Sequence, residues 1–356
     1  MPGLFKWLND FLHQKAEHNT QIRLDPSQIL TNDNVTIQAV GEETYIRLWL
    51  VEMFLRDKSS WFTERYPLTY SLVEMSYGGT SIEFANVSGK NRLDIQQTDL
   101  GKSLLYNYPM TPLLPFRGGT ISLDCGLVSM ASDNTILKFA GVVSEFASKL
   151  GGAQIAMAAG IASSIASSVQ DLLGAGKAVS KLYYHNAFTG SNGASPLASG
   201  YIWLSEGKEG KIEANRLWIT SEGIRQADTK EGSFKPLEPQ DYMLVRIECV
   251  AERDDYRAFA YVSDPFEQAL DAKGEGDDEK GKILLRQAKR AVQKSADFTK
   301  LDAKRIIAAL DEAYANDGWM PAKSSPFQEY VDPLSQAIDL VSIDRARSLP
   351  DLDELD

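Results

Sequence analysis

Histidine and cysteine are scarce here, with 3 of the first and 2 of the second among 356 residues. That scarcity narrows the chemistry. His13 and His18 lie five residues apart, and a helix brings ligands onto one face only at spacings of three or four. His185 stands alone beside Tyr183 and Tyr184, so a nucleophile acting with it needs a serine or cysteine brought near by folding, such as Cys125. Cys125 and Cys249 are far apart in apolar, strand-like surroundings and read as buried free thiols. No metal site and no cofactor is expected from this set.

Catalytic signatures are missing too. There is no H-E-x-x-H, no G-x-S-x-G elbow and no EF-hand loop. Gly174-Ala175-Gly176-Lys177 imitates a phosphate loop, but Asp171 stands where the first glycine belongs and Ala178 where the hydroxyl belongs. The reading therefore leans away from an enzyme. Its enzymatic alternative is a hydrolase whose site is assembled in space from Arg117, His185 and nearby acids. Positive charge is in deficit, 37 Lys and Arg against 49 Asp and Glu for a net charge of −12. Phosphate backbones would be repelled, so nucleic acid is not an expected partner. Lys289, Arg290, Lys294, Lys304 and Arg305 form the one notable basic cluster, read as a solvated helix face.

A long, strongly apolar run is also lacking. The nearest approach lies between Lys149 and Asp171, where no side chain ionises. Its length suffices for a bilayer, which needs about 20 apolar residues, but alanine, serine and glycine replace leucine and isoleucine. On a helix Ile155, Ile161, Ile165, Val169 and Leu172 supply the apolar positions, with Ala158, Ala162 and Ala166 beside them. The primary expectation is a buried helical pair over 132–182, with Gly151-Gly152 between its members. The alternative is a membrane-active effector whose helix 151–170 inserts after a trigger such as proteolysis, where small residues let helices associate. The start, MPGLFKWLNDFLHQKAEH, has neither a continuous apolar run nor a small-residue cleavage site, so a cytoplasmic setting is expected.

What is present is mostly β pattern. Residues 1–18 predict an amphipathic helix with Leu4, Leu8, Phe11 and Leu12 on one face. Thr44 to Leu55 is almost continuously apolar, as in a central strand covered on both faces. Leu72 to Val87 alternates on either side of Gly78-Gly79 and predicts a two-residue hairpin. Three prolines between Tyr106 and Gly119 make a connector, after which Arg117-Gly118-Gly119 enters the strand Thr120 to Val128. Arg117, Gly118, Gly119 and His185 are the candidate ligand-binding residues, Gly-Gly offering backbone N–H groups beside a cation. Lys181–Phe188, Tyr201–Leu204, Arg216–Ile219, Tyr242–Val250 and Tyr256–Val262 read as strands, Arg253-Asp254-Asp255 forming a hairpin turn between the last two.

Beyond Asp264-Pro265 the pattern becomes helical. Gly274 to Glu279 reads as a solvated linker, followed by helices over Lys280–Ala296 and Lys300–Ala315 and a tail ending LPDLDELD. The whole is expected to be α+β: an antiparallel β-rich body, sandwich-like or in two sheets, over 19–263, with a helical extension over 264–356. The function expected is non-catalytic binding of other proteins through those helices and the tail. Ile306, Leu310, Tyr314 and Leu340 are the candidate contacts, and a membrane is the alternative partner.

Overall fold

In a computed structural model, the residues described are 19–32, 35–54, 59–60, 63–77, 80–88, 104–131, 178–189, 196–206, 213–237 and 240–319. The expected helices over 1–18 and 132–177, with Ile155, Ile161, Ile165 and Val169, lie outside the described residues, as do Leu340 and its tail. In chain order the strands are β1 (Asn19–Arg23), β2 (Tyr45–Phe54), β3 (Ser59–Ser60), β4 (Thr63–Tyr77) and β5 (Thr80–Ser88). They continue with β6 (Leu104–Pro109), β7 (Leu114–Pro115), β8 (Thr120–Ala131), β9 (Ala178–Thr189) and β10 (Gly200–Glu206). β11 (Leu217–Thr220), β12 (Gly223–Gln226) and β13 (Tyr242–Val250) complete the β part. Helices α1 (Ala260–Gly274), α2 (Asp278–Lys294) and α3 (Lys300–Ala315) follow.

Antiparallel pairing builds one sheet in the order β1-β10-β13-β2-β6, with β7 also on β2, and a second in the order β3-β4-β8-β9, with β5 on β4. The two pack face to face, giving the α+β, sandwich-like architecture the alternation predicts. Ile46, Leu48 and Leu50 of β2, with Val245, Ile247 and Cys249 of β13, meet Leu123, Cys125 and Leu127 of β8 in a common core. Each such side chain stabilises by about 1.5–3 kcal/mol when fully buried. The other face of β2 is buried as well: Trp49, Val51 and Phe54 pack under the β11–β12 ribbon with Leu217, Ile219 and Ile224. That double cover is why β2 has no polar alternation to read. Tyr77 pairs with Thr80, leaving two residues for the glycine turn of the β4–β5 hairpin.

Two expectations need correction. Residues 178–182, placed at the end of the helical pair, belong to β9, whose ladder with β8 starts at Met130 opposite Ala178. The segment 132–177 therefore leaves and re-enters at one end of a single hairpin. Tyr256–Val262 is not a strand: a 3-10 turn over Asp255–Ala258 leads directly into α1. Phe259, Val262, Phe266 and Ala269 are buried at spacings of three and four, a helical period that continues through Pro265 in the second turn. The proline disguised it. α1 thus crosses the boundary expected at 263/264, and the stretch read as a linker is a tight connection in which Asp277 N–H reaches the Ala272 carbonyl at 2.9 Å. The three helices enclose their own core around Phe266, Leu285, Val292, Ile306 and Leu310.

Candidate functional site

Arg117 is held by protein groups. Its Nη2 donates to the carbonyls of Ala296 (3.0 Å) and Phe298 (2.8 Å), and its Nη1 to the Glu42 carboxylate. The guanidinium that the sequence offers to an anion instead ties the β body to the α2–α3 connection. Gly118 and Gly119 adopt φ of 89° and 83°, and a Cβ on Gly41 would stand 3.3 Å from the Gly118 Cα. Positive φ favours glycine at 118 and 119 and the close approach favours it at 41, which makes Gly-Gly a strand-entry turn.

His185 has a different neighbourhood. It faces outward on β9, directly across from Asp124 on β8. Its Nδ1 lies 2.9 Å from Asp124 Oδ1, and the Tyr183 hydroxyl donates to the same oxygen at 2.6 Å. The His185 side chain is 45% exposed and that of Asp124 12%. Asp124 is seven residues along the chain from Arg117, on the order of 20 Å in extended backbone. The two halves of the hydrolase site proposed from sequence thus make separate contacts. Among the described residues no group of three or more His, Cys, Asp or Glu side chains could hold a metal ion.

The partner-contact candidates go inward. Ile306 and Leu310 are fully buried and Tyr314 packs against the same cluster, so α3 spends its apolar stripe on the helical core. A polar junction that the sequence conceals holds this core to the sheets. Tyr45 on β2 donates its hydroxyl to Asp302 Oδ2 (2.7 Å) and accepts from the Thr299 N–H (3.1 Å). Asp302 also accepts from the Arg253 N–H (3.1 Å) and from Arg305 Nε (2.6 Å). The Arg253 guanidinium forks onto Asp255, reaches the Asp297 carbonyl at 2.9 Å and lies 4.6 Å from the Phe259 ring centroid. Burial first, and the Asp302 charge second, push the Tyr45 phenol well above its usual range, so it stays a donor. Burial alone would raise the Asp255 carboxyl, but the Arg253 fork outweighs it and holds it below the ordinary value.

The outer side of α2 faces water. From Lys280 to Lys294 the helix carries six basic residues and no acid. Lys282, Arg286, Arg290 and Lys294 are exposed at four-residue spacing, a single ridge about 18 Å long. Ile283 beside it is 50% exposed, among the few large apolar side chains so placed. Lys289 turns aside to Asp311 at 2.6 Å, and Arg305 belongs to the junction. The basic cluster noticed in the sequence is therefore divided by the fold, and Arg290 and Lys294 are its members on the ridge. Asp277 caps α2 by accepting from the Lys280 N–H at 3.0 Å, and Asp278 and Glu279 in the first turn complement the helix dipole. No family model matches the chain, and no curated protein or solved structure matches it.

Proposed function

We propose that the chain is a non-catalytic protein-binding molecule whose helical C-terminal part is the interaction element, with the outer face of α2 as its contact surface. The observation that carries this reading is the like-charged ridge itself. Lys282–Arg286, Arg286–Arg290 and Arg290–Lys294 are pairs at i, i+4, each of which costs a helix on the order of 0.2–0.5 kcal/mol. In a chain of net charge −12, Lys282 meets Glu279 at 3.6 Å within the helix, but no acid stands between Arg286 and Lys294 to offset the remaining pairs. An acidic partner would do so, and Ile283 would add an apolar anchor. The test compares the full chain with its Arg286→Glu/Arg290→Glu variant as baits in extract of the source cells, at matched melting temperature. Proteins captured by the first should drop at least about ten-fold with the second. An unchanged capture list rejects the reading.

A second reading, the membrane-active effector, draws on the β8–β9 topology. Because 132–177 departs and returns at one hairpin end, its release after a trigger would leave the strand ladder from Thr120 opposite Thr189 to Met130 opposite Ala178 intact. No described helix is long and apolar enough to cross a membrane. Dye release from liposomes by intact and protease-clipped chain tests this reading, and none from either form removes it.

A further inference from the structure

We infer that Arg47 and Arg246 form a binding site for a small oxyanion, a carboxylate or a singly charged phosphate group, on the face of the β1-β10-β13-β2-β6 sheet turned away from the second sheet. The site lies apart from α2, so its failure would leave the proposed function untouched.

Position comes first. Tyr45, Arg47 and Trp49 alternate onto one face of β2. Tyr45 is taken up by the helical junction through Asp302 and Thr299, and Trp49 by the cluster under the β11–β12 ribbon. Arg47 stands between these two covers, with 25% of its side chain still open to water. Across the ladder, β13 sets Glu248 opposite Arg47 and Arg246 opposite Trp49. The two arginines are therefore diagonal neighbours about 7–8 Å apart, within reach of one small ligand. Both guanidiniums lie against the Trp49 ring, 5.1 and 5.6 Å from its centroid.

Glu248 does not compensate this charge in full. Its short bond goes to the neutral indole, with 2.7 Å between Trp49 Nε1 and Oε2. Arg47 Nε stands 3.8 Å from Glu248 Oε2, and Arg246 Nη2 is 3.7 Å from Oε1. Those are ion pairs beyond hydrogen-bond reach. Arg47 Nε is itself sealed from water, and among the described residues no group accepts a hydrogen bond from it. Asp255, the next acid acting on Arg47, is held by the Arg253 fork. Burial is the largest influence on Arg47 and draws its pKa below the ordinary guanidinium value, in spite of both acids. A guanidinium with an unmet N–H beside a second guanidinium can receive a carboxylate or phosphate on parallel, charge-assisted hydrogen bonds. One positive charge left over calls for a singly charged ligand.

Thermal unfolding of the full chain in sodium chloride, with sodium phosphate or sodium acetate replacing it at equal ionic strength, tests this. Phosphate, acetate or both should raise the melting temperature of the wild type saturably, as a ligand held only by the fold does, and not with the steady rise of salting-out. A response to phosphate alone identifies the phosphate group, and one to acetate the carboxylate. Arg47→Lys keeps a cation beside Glu248 but lacks the fork. It should shift the response to at least about ten-fold higher concentration and leave the melting temperature in chloride unchanged. Arg47→Met should abolish the response and melt no lower than the wild type in chloride, because Glu248 keeps Trp49 and Arg246 while a buried charge is removed. No anion-specific shift in the wild type, or a shift that survives in both variants, overturns the inference. A lower melting temperature of Arg47→Met in chloride overturns it too, by assigning Arg47 to holding Glu248 in place.

Discussion

Glu52 is fully buried on β2, where its carboxylate accepts from the Tyr242 hydroxyl at 2.5 Å and from the Ile224 N–H at 2.7 Å. Those bonds anchor the β11–β12 ribbon to the sheet, and a Cβ on Gly223, whose φ is 100°, would run into the same carboxylate. Burial is the dominant influence on Glu52 and raises its pKa above the ordinary 4.5, in spite of both donors. A carboxyl whose folded pKa is raised contributes stability below its unfolded pKa and loses that contribution as pH rises through the folded value. Glu52→Gln keeps the shape without the titration. Relative to wild type, the variant should therefore gain in melting temperature over the range above the ordinary carboxyl value of 4.5. A difference that stays constant over that range refutes the assignment.

At the scale of single elements, α2 and α3 look alike in sequence but differ in what they face. The stripe Ile306, Leu310 and Tyr314 was legible as amphipathic, yet periodicity says only that one side is apolar and not what covers it. In the fold α1 and α2 cover it together, and α1 itself was hidden by Pro265 and by the apparent alternation of Tyr256–Val262. Leu310→Ala should consequently cost about 2–5 kcal/mol in chemical denaturation, the range for truncating a buried leucine. Ile283→Ser on α2 should stay within about 0.5 kcal/mol. Equal effects at the two positions would contradict the assignment of inside and outside. The strands were easier to read. β2, β8 and β13 carry runs or alternations dictated by covered faces, and the glycine pair between β4 and β5 marks its own turn.

For the molecule as a whole, the junction of sheets and helices decides whether the parts behave as one. The carboxylate of Asp302, 1% exposed, accepts from Tyr45, Arg253 and Arg305 at once, while its backbone N–H donates to the Thr299 hydroxyl. Removing one member of such a buried charged group strands the others and costs about 3–5 kcal/mol. Asp302→Ala should lower the denaturation midpoint accordingly, with the sheet and helix signals still falling together. If the helical signal alone shifts, the junction does not couple the two parts. The same contacts mean that deleting the residues after about Asp264 would strip Tyr45 of its bonds to Thr299 and Asp302 and Arg117 of its bonds to Ala296 and Phe298.

By itself the sequence determined the α+β class, the doubly covered β2, the burial of Cys125 and Cys249 and the helical character of 280–315. Each of these follows from local periodicity or composition, which side-chain burial imposes directly on the chain. Only tertiary structure decided that Arg117 is a tie to the α2–α3 connection, that His185 pairs with Asp124, and that the basic cluster splits between Asp311, the junction and an open ridge. Those partners lie 75 to 181 residues away for Arg117 and 61 for His185, and no local pattern encodes which distant groups a cation will meet when the sheets and helices close on one another.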